Sequence, residues 1–252
     1  MYAAERRQQI LEAARTAGRV DVLSLAADLE VTAETIRRDL TALERLGVLR
    51  RVHGGAMPID RFGFEPDITE RESVEAGAKD RIARAALDEL PEGGSVILDA
   101  GTTTIRLAAL LPSEKKLTVV THALPVATVV STMPNISLHL LGGAVRGTTL
   151  AAVGDWTTRC LQDVTVDVAF LGTNGIADTG LSTPDLAEAA VKRALVGAAR
   201  RTVLLADHTK FGRREFARVV GLEEIDTVIT DTDLDDEMYE SIEACGPTVV
   251  RT

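Results

Sequence analysis

The chain has 252 residues, of which 45% are hydrophobic and 26% are charged, and its formal net charge is −10. This composition is ordinary for a globular protein, and the length allows one small and one medium domain, each with its own core. Aromatic residues make up only 3%, which argues against stacking platforms for single strands; no signal peptide or bilayer-spanning apolar run is visible, so a cytoplasmic protein is expected.

The N-terminal segment predicts a helix-turn-helix. Residues 4–17 read as an amphipathic helix, and Asp21 is placed to cap a short second helix. A third helix is predicted because apolar residues recur at i, i+4 and i+7 from Ile36. Thr32 is placed to cap its start, and Gly47 provides a stop at its end. A short helix, a tight turn and a longer basic helix are typical of DNA-binding modules.

The third helix carries the predicted base-reading side chains. Arg38 points away from the buried stripe, with Thr35 and Arg37 beside it. A guanidinium in this position can pair with guanine or with phosphate. The alternative is that arginines on an exposed face are only solvated.

A wing is predicted directly after the third helix, over residues 48–55. Its basic side chains, Arg50, Arg51 and His53, can reach the sugar-phosphate backbone. Residues 1–58 hold 9 basic and 8 acidic residues; the chain totals are 28 and 38, so residues 59–252 keep 19 and 30. The acidic excess therefore lies outside the predicted DNA-binding segment, where it does not oppose DNA binding locally.

Residues 59–75 mix Pro, Gly and charge without periodicity, and are predicted to be a linker leading into a helix near 76–90. Apolar runs then alternate with Ala- and Leu-rich stretches, which predicts a Rossmann-like parallel sheet covered by helices over residues 76–252. The predicted strands are 95–99, 117–121, 137–141, 166–171, 202–206, 226–230 and 247–251. The predicted helices are 104–111, 124–132, 155–162, 184–200 and 234–244.

Polar and glycine-rich segments follow these strands, at the sheet edge where ligands of such folds bind. The first is Asp99-Ala100-Gly101-Thr102-Thr103-Thr104, ahead of a helix. Backbone N–H groups, hydroxyls and the positive helix end suit a phosphate, although threonines that merely cap a helix are the alternative. The segment lacks the endings of nucleotide and dinucleotide loops, so a small phosphorylated ligand is favoured.

Further segments repeat this arrangement. The residues concerned are Gly142, Gly143 and Arg146 after one strand, residues 172–175 after the next, and Asp207, His208 and Lys210 after a third. Thr183 and Pro184 are expected to act as N-cap and first residue of a helix. That helix places Glu188 and Lys192 one turn apart, a spacing more often seen in surface ion pairs than in sites.

The two cysteines, Cys160 and Cys245, lack the spacing of metal ligands, and we expect buried, reduced thiols. No metal ion and no cofactor is predicted.

The motifs together resemble the DeoR family of bacterial regulators. They are TAETIRRDL, RRVHGGA, DAGTTT, LLGGAVRGTT, GLSTPDLAEAAVKRA and ADHTKFGRREFARV, which cover nearly the whole chain in the family's order. The resemblance implies a winged helix-turn-helix and a sensor domain similar to ribose-5-phosphate isomerase. It also implies release from a double-stranded DNA operator by a sugar phosphate, and assembly as a homodimer or homotetramer. The start, MYAAERRQQI, resembles actinobacterial regulators of fructose uptake, which makes fructose 1-phosphate the first candidate effector.

The resemblance assigns roles to individual residues. The DNA-binding positions are Thr32, Thr35, Arg37, Arg38, Arg50, Arg51 and His53. The effector-binding positions are Asp99, Gly101, Thr102, Thr103, Thr104, Gly142, Gly143, Arg146, Lys192, Asp207 and Lys210. His122 stands where the family often has Asn, a departure that can retune recognition of sugar hydroxyls.

Three other functions stay open at this stage. A sugar-phosphate isomerase could use Asp99, Asp207, Glu188 and His208 for acid–base chemistry, although nothing in the sequence forces a catalytic pair together. A transcriptional activator of the same family is the second, and a DNA-binding structural protein without an effector is the third.

Overall fold

The structure is a computed structural model that describes residues 3–45, 48–52, 54–58 and 65–252. The chain divides into two units, residues 1–64 and 65–252. None of the helices in the described ranges is long and apolar enough to span a bilayer.

The first unit is a helix-turn-helix with a three-stranded antiparallel sheet. Its elements are α1 (Ala3–Ala17), β1 (Val20–Asp21), α2 (Val22–Asp28), α3 (Ala33–Arg45), β2 (Leu49–Val52) and β3 (Gly55–Pro58), with the strands in the order β1-β3-β2. Asp21 caps α2 as predicted, accepting the backbone N–H groups of Leu23 and Ser24. Ile10, Ile36 and Leu40 are fully buried in the core between the helices.

The wing differs from its predicted bounds. The hairpin pairs Leu49–Val52 with Gly55–Pro58, and β3 also pairs with β1. A side chain at Gly55 would lie 1.9 Å from the carbonyl oxygen of Val20, so only glycine allows β3 to approach β1 this closely. The predicted stop at Gly47 and the predicted contact at His53 lie outside the described residues.

The second unit is an α/β domain. Its helices are α4 (Ile68–Ser73), α5 (Ala76–Ala85), α6 (Thr102–Ala109), α7 (Leu124–Val130), α8 (Asp155–Gln162), α9 (Leu186–Gly197) and α10 (Asp236–Glu243). Its strands are β4 (Gly94–Leu98), β5 (Leu117–Thr121), β6 (Ile136–Leu140), β7 (Ala144–Arg146), β8 (Ala151–Val153), β9 (Val168–Leu171), β10 (Gly175–Ala177), β11 (Gly180–Thr183), β12 (Thr202–Leu205), β13 (Ala217–Arg218), β14 (Thr227–Thr230) and β15 (Thr248–Arg251). Short 3-10 turns cover 86–89, 208–210 and 222–224.

All seven predicted strands lie in one parallel sheet, in the order β15-β14-β12-β9-β4-β5-β6. The fold-class prediction is therefore confirmed. The chain first builds β4, β5 and β6 to one side and then crosses to β9, so the strand order reverses between β4 and β9. In open parallel sheets this reversal opens a crevice at the carboxyl ends of the strands.

Parts of the sequence-based description need correction. Residues 65–75 belong to the second unit, and Ile68–Ser73 form a helix capped by Asp67, because the cap accepts the N–H of Glu70 at 2.9 Å. The helix predicted from Thr183 and Pro184 begins after Asp185 instead: Thr183 ends strand β11, and the Asp185 carboxylate accepts the N–H of Glu188.

The cysteines are free thiols as expected, but the prediction that they are buried is wrong, because Cys160 and Cys245 are exposed. Helix α8 turns Thr157 and Leu161 toward the core, which leaves Cys160 off the buried stripe. Cys245 follows the end of α10, where its thiol donates to the carbonyl oxygen of Ser241 at 3.3 Å.

Candidate effector pocket and nucleic-acid interface

The second unit has a pocket at the carboxyl ends of β4, β9 and β12. It encloses about 320 Å³, part of which is open to solvent. The lining residues are Arg71, Lys79, Gly101, Thr102, Thr103, Thr104, Gly172, Thr173, Leu205, Ala206, Asp207 and Lys210. The structure thus brings together the predicted segments at 101–104 and 207–210 and adds two cations from α4 and α5.

Three cationic side chains share this pocket with one carboxylate. Burial lowers the pKa of Lys79 to about 8, with Asp207 opposing the shift and Lys210 and Arg71 adding to it. Burial likewise lowers the pKa of Lys210, again against Asp207. Each ammonium is therefore costly to keep charged in the empty pocket, and a bound anion would relieve that cost.

The helix end at the pocket provides unused donors. Gly101 precedes α6 without a side-chain cap, so the first N–H groups of the helix are free to meet a ligand. The Thr104 hydroxyl is already used, donating to the carbonyl oxygens of Asp99 and Gly101 at 2.8 and 2.9 Å. Within the described chain, the hydroxyls of Thr102 and Thr103 have no recorded hydrogen bond, which leaves both available to a phosphate.

Asp99 lies beneath the pocket and is not among its lining residues. It is fully buried, accepts from His122 Nε2 at 2.9 Å and from the N–H of Gly172 at 2.9 Å, and forms an ion pair with Lys192. Burial alone would raise the pKa of Asp99, but the Lys192 ammonium and the His122 ring hold it below its usual range. Asp99 therefore braces the floor of the pocket rather than facing an anion.

His122 is part of the same buried cluster. Its Nδ1 lies 2.8 Å from the carbonyl oxygen of Ala152, and its Nε2 faces the Asp99 carboxylate. Both ring nitrogens are therefore occupied by partners within the fold. The side chain is fully buried and does not line the pocket, so the structure gives no support to the idea that it meets sugar hydroxyls.

The expected surface pair of Glu188 and Lys192 is wrong, since both side chains are almost fully buried. Glu188 instead pairs with Arg146, and Lys192 with Asp99 and the carbonyl oxygen of Gly172. Burial raises the pKa of Glu188, with the Lys192 charge opposing the shift. The two residues stabilise the region beside the pocket but do not line it.

Arg146 also lies outside the pocket lining. Its Nη1 donates to Glu65 Oε2 at 3.0 Å and to Glu188, and its Nε lies 3.6 Å from Asp185. Burial opposes protonation, but the carboxylates of Glu188 and Glu65 raise the pKa of Arg146. The guanidinium is thus committed to three carboxylates of the fold.

Gly142 and Gly143 do not line the pocket either. The carbonyl oxygen of Gly142 accepts the Thr157 hydroxyl at 2.8 Å, and a side chain at Gly143 would lie 2.3 Å from that hydroxyl oxygen. Gly143 therefore allows the β7–β8 hairpin to pack against α8, whereas a side chain at Gly142 would meet nothing within 4 Å.

Asp207 lines the pocket, and its carboxylate accepts the backbone N–H of Thr209 at 3.1 Å. Its neighbour His208 turns to Asp231, with Nδ1 2.8 Å from Oδ1. His208, Asp231 and Asp233 are the one group in the described residues with ligand atoms close enough for a cation. Backbone N–H groups of His208 and Asp233 already occupy both Asp231 oxygens.

The first unit exposes the predicted DNA-facing side of α3. Arg37 and Arg38 are exposed, and both lie near Glu34, at 3.6 and 3.7 Å. The exposed Thr32 Oγ1 accepts the N–H of Thr35 at 3.2 Å and lies 2.9 Å from the Thr35 hydroxyl. The structure thus confirms Thr32 as the N-cap and leaves the two arginines open to a partner.

The wing residues behave differently from one another. Arg51 folds back on α3, where its Nη1 lies 3.2 Å from the Thr41 hydroxyl and 3.4 Å from the carbonyl oxygen of Arg37. Its backbone N–H donates to Glu44. Arg50 lies in β2, and its side chain, like His53, is outside the described residues. Arg51 therefore positions the wing against α3 in this structure.

Sequence reasoning missed Arg71, Lys79 and Arg7. Arg71 lay in the predicted linker and Lys79 in an unremarkable helix, and only the fold brings them to the pocket. Arg7 joins Arg37 and Arg38 along a shallow groove, held there by Asp39, whose carboxylate accepts Arg7 Nε at 2.8 Å. The basic pair at positions 6 and 7 was the available signal for this last residue.

Comparison with known proteins also divides the chain into an N-terminal and a C-terminal domain. A family model described as the DeoR C terminal sensor domain matches residues 74–232, and one described as the DeoR-like helix-turn-helix domain matches residues 6–62. Among solved structures, ribose 5-phosphate isomerase A from Methanocaldococcus jannaschii is similar over 53% of each chain, at 17% identity and a TM-score of 0.39.

Three relatives align over almost the entire chain. The regulator GlpR of Haloferax volcanii is 39% identical, over 99% of this chain and 98% of its own length. The regulator FruR of Bacillus subtilis is 35% identical, over 92% and 93% of the two chains. The lactose phosphotransferase system repressor of Streptococcus mutans is 32% identical, over 94% and 95%. With the sensor model covering more than half of its length and such relatives aligned end to end, the chain belongs to the DeoR family of transcriptional regulators.

Proposed function

We propose that this chain is a sequence-specific, DNA-binding repressor of a carbohydrate-utilisation operon, released from its operator by a phosphorylated sugar. The observation that carries the proposal is the pocket of the second unit. Three cations, Arg71, Lys79 and Lys210, share it with the single carboxylate of Asp207, next to an uncapped helix N-terminus. This net positive, amide-lined cavity suits a phosphate dianion.

The lining of the cavity limits the ligand class. Its cations gather beside a single helix N-terminus, an arrangement that suits one phosphoryl group. Thr102 and Thr103 hydroxyls, the first N–H groups of α6 and the ammonium groups would hold the phosphoryl oxygens. Asp207 is the one acceptor among the charged lining groups, which suits a sugar hydroxyl.

Fructose 1-phosphate is the first candidate effector. The resemblance of the first ten residues to fructose regulators supports it, as does a relative that carries the name FruR. Another relative is named as the lactose phosphotransferase system repressor, so the names of the relatives do not single out one sugar. Glycerol 3-phosphate and other sugar phosphates therefore belong in the same test.

The mechanism is a two-state coupling within a homodimer or homotetramer. Recognition helices of paired subunits read half-sites about one helical turn, or a multiple, apart. Effector binding shifts the subunits so that this spacing no longer matches. For a coupling of about 1–3 kcal/mol, operator affinity falls roughly 5- to 150-fold.

In this proposal the protein is a sensor and not an enzyme. Of the candidate acid–base groups, Asp99 is bound by Lys192 and His122, and Glu188 by Arg146. His208 is paired with Asp231. Internal partners therefore occupy these groups. Isomerase turnover on sugar phosphates that disappears in Asp207→Asn would contradict the sensor assignment.

A mobility-shift experiment tests the proposal. The full chain is titrated onto the DNA flanking its own gene, then challenged with fructose 1-phosphate, glycerol 3-phosphate and inorganic phosphate. We expect a retarded protein–DNA band that disappears when one of the sugar phosphates is added. The active compound should also stabilise the protein by about 2.7 kcal/mol at a hundredfold excess over Kd. Failure to bind any flanking DNA at low salt, or insensitivity to the whole panel, refutes the proposal.

A further inference from the structure

Glu65 is the first residue of the second unit. Its side chain is only 3% exposed and accepts three hydrogen bonds. Arg71 Nη1 and Asn174 Nδ2 each lie 3.0 Å from Oε1, and Arg146 Nη1 lies 3.0 Å from Oε2. A residue of the predicted linker is therefore a buried carboxylate with three hydrogen-bond donors.

One of these three partners is also a pocket residue. Arg71 lines the cavity beside Lys79 and Lys210 while its Nη1 holds Glu65. Within the described chain, Glu65 is the one carboxylate recorded as a partner of the Arg71 guanidinium. The Arg71 guanidinium thus contributes to the pocket lining and also binds the first residue of the second unit.

We propose that the phosphoryl group of the effector and the Glu65 carboxylate compete for Arg71, so that effector binding loosens the point where the chain of the DNA-binding unit enters the sensor unit. This inference rests on the proposed function. Glu65 acts through Arg71, so it is a positioning residue and does not touch the effector.

Electrostatics favours competition over simultaneous pairing. A guanidinium carries one positive charge, whereas a carboxylate and a phosphate dianion on its two sides carry three negative charges. Like charges within a few ångströms of a buried site repel each other strongly. Arg146, the other cation that binds Glu65, is already shared with Glu188 and Asp185, so it cannot compensate fully for a weaker Arg71.

The segment between Glu65 and Arg71 can respond at low cost. Helix α4 has only six residues, and none of them is buried. Besides the ion pair, it is held by the Asp67 cap, by the N–H of Ile68 on the carbonyl oxygen of Thr148 at 2.9 Å, and by Arg106 on the carbonyl oxygen of Glu72. The Lys79 ammonium also donates to the carbonyl oxygen of Arg71 at 2.7 Å and to that of Val74. Elements with few buried apolar contacts open locally for little free energy. Weakening the ion pair therefore loosens this segment.

The test replaces Glu65 with its uncharged isostere, Glu65→Gln, in the full chain. The matched control is Glu70→Gln, the same chemical change on the exposed face of α4. Two affinities are measured: that of inorganic phosphate for the protein, and that of the effector-free protein for its operator. Glu65→Gln should bind phosphate roughly tenfold more tightly and the operator roughly tenfold more weakly, since one charged hydrogen bond is worth about that factor.

Opposite changes in the two affinities are the diagnostic result, because a purely structural defect would weaken both. If both fall together in a folded protein, or if Glu65→Gln behaves like Glu70→Gln, the competition does not exist while the sensor function stands. If the unchanged protein binds neither inorganic phosphate nor fructose 1-phosphate, the proposed function itself fails and this inference with it. Should Glu65→Gln not fold, Glu65→Asp keeps the charge but shortens the reach, and must shift both affinities in the same directions by a smaller factor.

Discussion

Effector affinity should depend on pH through Lys79. In the empty pocket, burial places the pKa of this ammonium at about 8. A phosphate charge at about 4 Å stabilises the ammonium by about 4 kcal/mol at an effective dielectric of about 20, so Lys79 stays protonated in the complex beyond about pH 10. Raising the pH through about 8 therefore deprotonates Lys79 only in the free protein. Above that pH, effector binding must be accompanied by the uptake of one proton by Lys79.

The size of the effect follows from the fraction of free protein in which Lys79 is charged. That fraction is about nine-tenths at about pH 7 and about one-tenth at about pH 9. Affinity should therefore fall about tenfold, or about 1.4 kcal/mol, across this interval. The phosphate monoester is not the source, because its second pKa is about 6 and it stays dianionic throughout.

Titration calorimetry with fructose 1-phosphate across this interval is the assay, with Lys79→Met as the variant. Lys79→Met should bind more weakly at about pH 7 and lose most of the pH dependence, leaving what Lys210 contributes. Lys116→Met, which changes an exposed lysine, is the control and should match the unchanged protein. A flat affinity in the unchanged protein, or an equal slope in Lys79→Met, would refute the reasoning.

Four further predictions concern separate parts of the molecule. Arg38→Ala should abolish operator binding in a mobility shift and leave the effector-induced thermal shift intact. Thr103→Asp should do the reverse, because its carboxylate repels the phosphate, and a loss of both activities in either folded variant would contradict the division of labour. Asp99→Asn should lower the free energy of unfolding in urea by about 3–5 kcal/mol, since it leaves buried cations unpaired; a loss under about 1 kcal/mol would contradict this. Gly143→Ala should cost about 1–3 kcal/mol, because its side chain would meet a hydroxyl at 2.3 Å and a carbonyl oxygen at 2.7 Å. Gly142→Ala, with nothing within 4 Å, should cost far less, and equal losses would refute the packing argument.

Local patterns in the sequence were sufficient for the sheet and for most of the DNA-binding unit. Buried parallel strands are continuous apolar runs, and α3 carries an unbroken apolar stripe from Ile36, so both could be recognised from neighbouring residues alone. The helix end after β4 that we propose as a phosphate site was recognisable for the same reason, as its glycine and threonines are consecutive.

The rest of the pocket depends on contacts between distant segments. Arg71 and Lys79 reach the pocket from helices α4 and α5, and no local pattern in the sequence indicates that they do so. Glu188 and Lys192 have the spacing of an exposed ion pair, yet α9 is buried between the main sheet and smaller strands. The available signal was the composition of α9, LAEAAVKRALVG, because a helix that is apolar almost all round is a core helix.

The order of the seven strands has a consequence for how the protein is made. Strand β4 sits in the centre of the sheet between β5 and β9, so one of its edges stays unpaired until residues 168–171 have been synthesised. The first unit completes its own core from residues 10–56. Because domains fold as they leave the ribosome, N-terminal first, the helix-turn-helix unit can form its core while the sheet of the second unit is still missing its middle. A message that terminates early within the second half would therefore yield the helix-turn-helix unit without the sheet edge that forms the pocket.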